Sequence, residues 1–194
     1  MDRRRDIEGE GSYGSPLKRM LYCQVYSAAQ DSGVTLVTAR KVIKTFLSVC
    51  REDLLSGHIV RLLGLVTMKP DVVVTPHIKT LAFYVKQVSE EVNVPYHTCF
   101  AIVTSYLDDL KLGLFRMERA ILGNLAIIMP LQEENTDNLV AIYVRASSTI
   151  YKDIHEGNTI ISSVDTRVSK FLKEDLARAI KCGYENDLRV VVEQ

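Results

Sequence analysis

An apolar segment with an inner glycine and a closing proline is written twice in this chain. VRLLGLVTMKP occupies residues 60–70 and RAILGNLAIIMP residues 119–130. The repetition extends well beyond these segments. With a shift of 60 positions, Leu81, Val85 and Val88 fall on Leu21, Val25 and Ala28. Ile102, Val103, Tyr106, Leu107, Leu110 and Leu114 fall on Val42, Ile43, Phe46, Leu47, Cys50 and Leu54, and Pro130 falls on Pro70. Gly123 meets Gly64 only if one residue is deleted before it. The apolar pattern repeats while the charges do not, which is the signature of a duplicated structural unit. A fold built on such a chain must place two copies of one helix–helix–strand element.

The elements follow from periodicity and punctuation. Ser15-Pro16 opens a first helix, with serine as cap and proline at the first helical position, ending near Gly33. Thr35 or Thr38 opens a second, whose stripe Ala39, Val42, Ile43, Phe46, Cys50 and Leu54 has helical spacing. Ser56-Gly57 stops it, and residues 58–68 read as one strand broken by Lys69-Pro70. The second copy repeats this order through Pro130. Residues 139–150, LVAIYVRASSTI, then read as a strand rich in β-branched side chains. Residues 155–158 read as a turn and 159–164 as a returning strand. A last helix is capped by Asp165 or Thr166, and the tail carries a possible short strand, LRVVV. The glycine in each repeated segment marks a bend or a close backbone approach, where no side chain fits.

Composition sets the broad class. The 194 residues are 47% hydrophobic and 25% charged, the balance of a globular protein with a substantial core. No apolar run reaches the roughly 20 residues of a membrane span, and MDRRRDIEGEGSYGS lacks the apolar core of a secretory signal. Cys23, Cys50, Cys99 and Cys182 are scattered, three of them on helical stripes. They read as buried free thiols in a reducing compartment. His58, His77, His97 and His155 have no partner at metal-ligand spacing. Asp108-Asp109 and Glu133-Glu134 are adjacent, so on a helix they diverge by about 100° rather than converge. Phosphate-binding and nucleophile motifs are absent. Catalytic and metal residues, cofactors and an enzymatic role are therefore not expected.

Two segments carry a resemblance to a known family. LLGLVTM, residues 62–68, looks like the glycine-bearing strand of the HU and integration host factor superfamily. TRVSKFLKEDLARAI, residues 166–180, is similar to that family's closing segment: a small residue, a basic residue, valine, then phenylalanine and a short amphipathic helix. The resemblance implies an α+β fold of two tandem HU-like units. It divides the chain into an N-terminal arm, 1–15, a truncated first unit, 16–75, and a complete second unit, 76–194, with a β-arm at 131–165. Family members form intertwined dimers, so the two units would pair within one chain or be exchanged between chains.

The family's DNA-bending chemistry does not transfer. Its DNA binders carry a basic arm whose tip wedges into the minor groove. Here residues 131–164 hold two basic side chains, Arg145 and Lys152, against five acidic ones, Glu133, Glu134, Asp137, Asp153 and Glu156. The whole chain is neutral, with 24 basic and 24 acidic residues, whereas phosphate binders usually carry a basic excess. The expected role is structural, in a protein assembly. HU-like proteins occur among the virion components of crAss-like bacteriophages, and the chain resembles such a component. The resemblance implies a ring-like homo-oligomer at the portal–tail junction, in contact with neighbouring virion proteins. It places the chain in a virion assembled in the host cytoplasm, with no membrane partner. Arg3, Arg4, Arg5, Val140, Ile142, Tyr143, Val144 and Arg145 are the candidate partner contacts. A plain intramolecular sheet accounts for the β-arm run equally well. The alternative is a divergent HU-type DNA-binding protein that uses Arg3, Arg4, Arg5, Arg40, Lys41 and Lys44.

Overall fold

The computed structural model describes residues 16–62, 64–75, 77–132, 139–155 and 163–182. It is an α+β protein with two three-stranded antiparallel sheets. The elements in order are α1 (Pro16–Asp31), α2 (Leu36–Leu55), β1 (Val60–Leu62), β2 (Val66–Pro70), α3 (Leu81–Val92), α4 (Tyr96–Phe115), β3 (Ala120–Leu122), β4 (Ala126–Gln132), β5 (Leu139–Ala146), α5 (Ser148–His155), β6 (Val164–Val168) and α6 (Lys170–Cys182).

The repeat is visible in what is buried. On α2 the core positions include Ala39, Val42, Ile43, Phe46, Leu47, Cys50 and Leu54. On α4 they are Cys99, Ile102, Val103, Tyr106, Leu107, Leu110 and Leu114, each 60 positions on. Thr35 caps α2 by accepting a hydrogen bond from the Thr38 amide, and Thr80 caps α3 by accepting one from the Phe83 amide. Thr35, not Thr38, is thus the start of the second helix. The corresponding position before α4 is Pro95, which offers no side-chain cap.

The strand expected over residues 58–68 is a hairpin. Val60 faces Met68 and Leu62 faces Val66; in the second copy Ala120 faces Ile128 and Leu122 faces Ala126. Both turns have the same length. Each is closed by an equivalent hydrogen bond, Leu65 N to Leu62 O at 3.0 Å and Leu125 N to Leu122 O at 2.8 Å. No deletion separates the copies; the glycine merely sits one place earlier in the second turn. Gly64 and Gly123 both have positive φ, +77° and +52°, a conformation costly for residues with a Cβ. The run looked continuous because the residues on either side of each turn face the same core.

The third strands rearrange the expected domain plan. β5 pairs with β4, but β6 pairs with β2, with Val66 opposite Val168 and Pro70 opposite Val164. The first unit is therefore not truncated: its third strand and closing helix arrive from the C-terminal part of the chain. The expected arm at 131–165 is not one hairpin either. β5 ends at Ala146, α5 follows, and the next described strand belongs to the other sheet. Equivalent bonds start the two closing segments, Ser147 N to Leu125 O at 2.8 Å and Ser169 N to Leu65 O at 2.9 Å. The buried Ile150 and Ile154 of α5 match the buried Leu172 and Leu176 of α6. Asp165 and Thr166, expected as caps of the last helix, lie within β6, and α6 begins at Lys170.

The two units interlock. α1 packs chiefly on α4 and α3 on α2; α5 leans on α2 and α6 on α4. Arg51 of α2 forms an ion pair with Asp153 of α5. The turns are exchanged too. A Cβ on Gly123 would lie 2.7 Å from Leu47 Cδ1 on α2, and one on Gly64 would lie 3.0 Å from Lys111 Cε on α4. One hydrophobic core, containing the fully buried Phe46, Tyr84 and Tyr106, serves both units.

This geometry separates two glycines of equal backbone strain. Gly33 also has positive φ but has open space around it. Gly33→Ala should cost about 1 kcal/mol from backbone strain alone. Gly123→Ala should cost roughly 2–4 kcal/mol, because the buried Leu47 must also move. Urea denaturation of the two variants checks the difference.

Candidate protein-contact surface

Each sheet turns one face to the shared core and one face outward. In the first sheet the alternation is clean. Val60, Leu62, Val66 and Met68 are buried, while Arg61 and Lys69 are exposed. Register places Arg61 opposite Thr67, Thr67 opposite Arg167, and Lys69 opposite Asp165. The outer face of this sheet is therefore charged and polar, and Arg167 is paired with Asp165 at 2.9 Å.

In the second sheet the equivalent outward positions are apolar. Ile121, which is itself buried, stands where Arg61 stands in the first, and the half-buried Ile127 and Met129 stand where Thr67 and Lys69 stand. Tyr143, opposite Met129, replaces Asp165 and is 45% exposed. Leu131, farther along β4, is 47% exposed. Only Arg145, opposite Ile127, keeps the charge of its counterpart Arg167. A solvated strand normally alternates apolar and polar positions. β4, reading AIIMPLQ, does not.

The two outer faces adjoin where the third strands meet. The Thr166 hydroxyl donates to the Val144 carbonyl at 3.1 Å, joining β6 to β5. Arg167 and Arg145 follow these two residues in sequence on adjoining strands. The cationic outer face of the first sheet and the apolar outer face of the second therefore flank this junction.

Of the candidate contacts from the sequence, Tyr143 and Arg145 lie on this surface and are exposed. Ile142 and Val144 do not; they pack partly buried against the core, as the two-residue period of a strand requires. Val140 lies in β5, and nothing further is described of its side chain. Arg3, Arg4 and Arg5 lie outside the described residues. Arg40 and Lys44 are exposed on α2, and Lys41 donates to Val92 O at the C-terminal end of α3. That end carries partial negative charge, which a lysine complements. Sequence reasoning missed Ile127, Met129, Arg61, Lys69 and Arg167. The available signal was the contrast between the alternating VTMKP and the uninterrupted AIIMP.

The buried polar groups are structural. Cys50 and Tyr84 lie in the core near Asp53, whose carboxylate accepts from Lys79 Nζ at 2.7 Å. The Tyr84 hydroxyl faces this carboxylate without closing a well-aligned bond to it. Burial first, and the neighbouring Cys50 and Asp53 next, raise the Tyr84 phenol above its ordinary range; burial and Asp53 do the same to the Cys50 thiol. Such groups stay protonated and unreactive. A shallow dent of about 340 Å³ between α1 and α4 is lined by Asp31, Ser105 and Asp108, but Ser105 donates to Asp31 and Lys111 pairs with Asp108. Among the described residues, no group of three or more His, Cys, Asp or Glu side chains is placed to hold a metal ion, and no helix is long and apolar enough to cross a membrane.

No family model, curated protein or solved structure matches this chain.

The alternation of β5 makes a direct test. Tyr143→Asp, on the outward face, should change stability by no more than about 1 kcal/mol. Val144→Asp, on the inward face, should cost about 2 kcal/mol or more by placing a carboxylate against the core. Thermal or urea melts of the two neighbours read this out.

Proposed function

We propose that this chain is a structural assembly subunit that works through protein–protein contacts, with the outer face of the second sheet as its main contact. The observation that carries this reading is the exchange of Arg61, Thr67, Lys69 and Asp165 for Ile121, Ile127, Met129 and Tyr143 at equivalent positions. Sequence drift in a solvated face exchanges polar residues for polar residues. Ile121 is buried within the chain, and the other three, Ile127, Met129 and Tyr143, form a patch that marks a surface another molecule covers.

The HU-like reading is supported by the order helix, helix, hairpin, strand, helix in both units and by the interlocking of their helices. It carries the finer proposal, a homo-oligomeric ring at the portal–tail junction of a bacteriophage virion. Unlike faces on one chain suit head-to-tail contacts, which close into rings when the rotation permits. The runner-up, a DNA-bending protein, is less well supported. Half of the outer surface lacks the cations that phosphates would need, and Lys41 is engaged within the fold.

Sedimentation of the purified chain across a concentration series tests the assembly reading. It should show self-association that Tyr143→Asp weakens by at least about tenfold, since a carboxylate buried in an apolar contact costs more than 1.4 kcal/mol. A chain that stays monomeric at every concentration, or a variant that assembles as well as wild type, would overturn the proposal.

A further inference from the structure

The geometry points to a specific chemistry for the partner of this surface: a protein segment that is acidic at one end and apolar at the other. The inference rests on reading the surface as a protein contact, and it names what the contact takes.

Arg61 and Arg167 flank Thr67 on three adjacent strands. With strands spaced by about 4.8 Å, their Cα atoms stand about 10 Å apart. Lys69 lies next along β2, and Arg145 stands beyond Arg167 across the junction of β6 with β5. Among the described residues, Arg61, Lys69 and Arg145 have no ion-pair partner; only Arg167 does, with Asp165. Four cations thus face out along these strands, with the carboxylates of Asp165 and, just past the end of β2, of Asp71. At Arg145 the character changes, and Ile127, Met129 and Tyr143 continue the surface as an apolar patch.

Charge complementarity fixes the sign of the occupant over the cationic half. The apolar half fixes the rest. A nucleic acid presents phosphates along its whole length and would meet cations at only one end, while Met129 and Tyr143 lay against phosphate. A purely acidic peptide would leave the apolar half wet. A segment whose carboxylates meet Arg61, Lys69 and Arg167, and whose following apolar side chains cover Ile127, Met129 and Tyr143, satisfies both halves at once. It would cross the junction of the two sheets, so both units contribute to one binding surface.

The test uses the full chain and three labelled probes. One is a short peptide, glutamate-rich in its first half and leucine-rich in its second. The second has the same order with lysine in place of glutamate, and the third is a short DNA duplex. Fluorescence anisotropy should show binding of the acidic–apolar peptide alone, weakening as salt rises. The double variant R61E/R167E should weaken that binding by at least about tenfold, and R61Q/R167Q by a smaller factor. Both side chains are exposed, and unchanged circular dichroism would verify that the variants fold. Tyr143→Asp should weaken the same binding. Equal affinity for the glutamate and lysine peptides, no effect of either arginine pair, or binding of the duplex through these arginines would each overturn the assignment. Sedimentation of the same samples keeps the two ideas apart. Normal assembly without peptide binding sinks the partner assignment alone. A monomer that binds the peptide through Arg61 and Arg167 sinks the assembly reading alone.

Discussion

The exchange of helices between the two copies holds this molecule together. α1 lies on α4 and α3 lies on α2, so neither copy encloses a core by itself. A helix pair with one short hairpin buries too little apolar surface to offset its own ordering entropy. Interlocking solves this by giving both copies the same core, in which Phe46, Tyr84 and Tyr106 are fully buried. The hairpin turns follow from it. Each turn lies against a helix of the opposite unit, and the glycines at 64 and 123 permit both the left-handed backbone and the close approach.

The interlocked core also leaves the outer sheet faces free to diverge. Residues at the core must match their counterparts in size and polarity, and the seven matched positions on α2 and α4 do so closely. Residues on the outer faces answer only to solvent or to a partner. There the two copies have parted, one face keeping Arg61, Lys69 and Arg167 and the other carrying Ile127, Met129 and Tyr143. Near-symmetry inside and asymmetry outside suit a subunit that makes directional contacts.

Most of the helical framework was legible in the sequence because a helical stripe is a local signal. The duplication and the stripes of α2 and α4 could both be read from spacing. The hairpins were not, since a three-residue turn leaves no break in an apolar run such as VRLLGLVTM. α5 was hidden in a β-branched stretch, although Ile150 and Ile154 stand at helical spacing and the Ser147 hydroxyl accepts from the Thr149 amide. The pairing of β6 with β2 was the hardest to foresee. Asp165 and Thr166 read from the sequence as a helix cap, so β6 itself was missed beyond Val164, and no local signal names the distant edge it completes. The contact surface was half legible for the same reason. Tyr143 and Arg145 could be read from β5 alone, whereas Arg61 and Arg167 become neighbours only through Thr67 between them.

The central structural claim is that one chain completes both of its sheets, with β6 closing the first. Cysteines introduced at Thr67 and Arg167, directly opposite each other on β2 and β6, sit within the range for disulfide formation. Oxidation followed by non-reducing denaturing electrophoresis and peptide mapping should give a disulfide between positions 67 and 167 in a species of monomer mass. The same bond found between two chains, or no bond between these positions, would contradict the account.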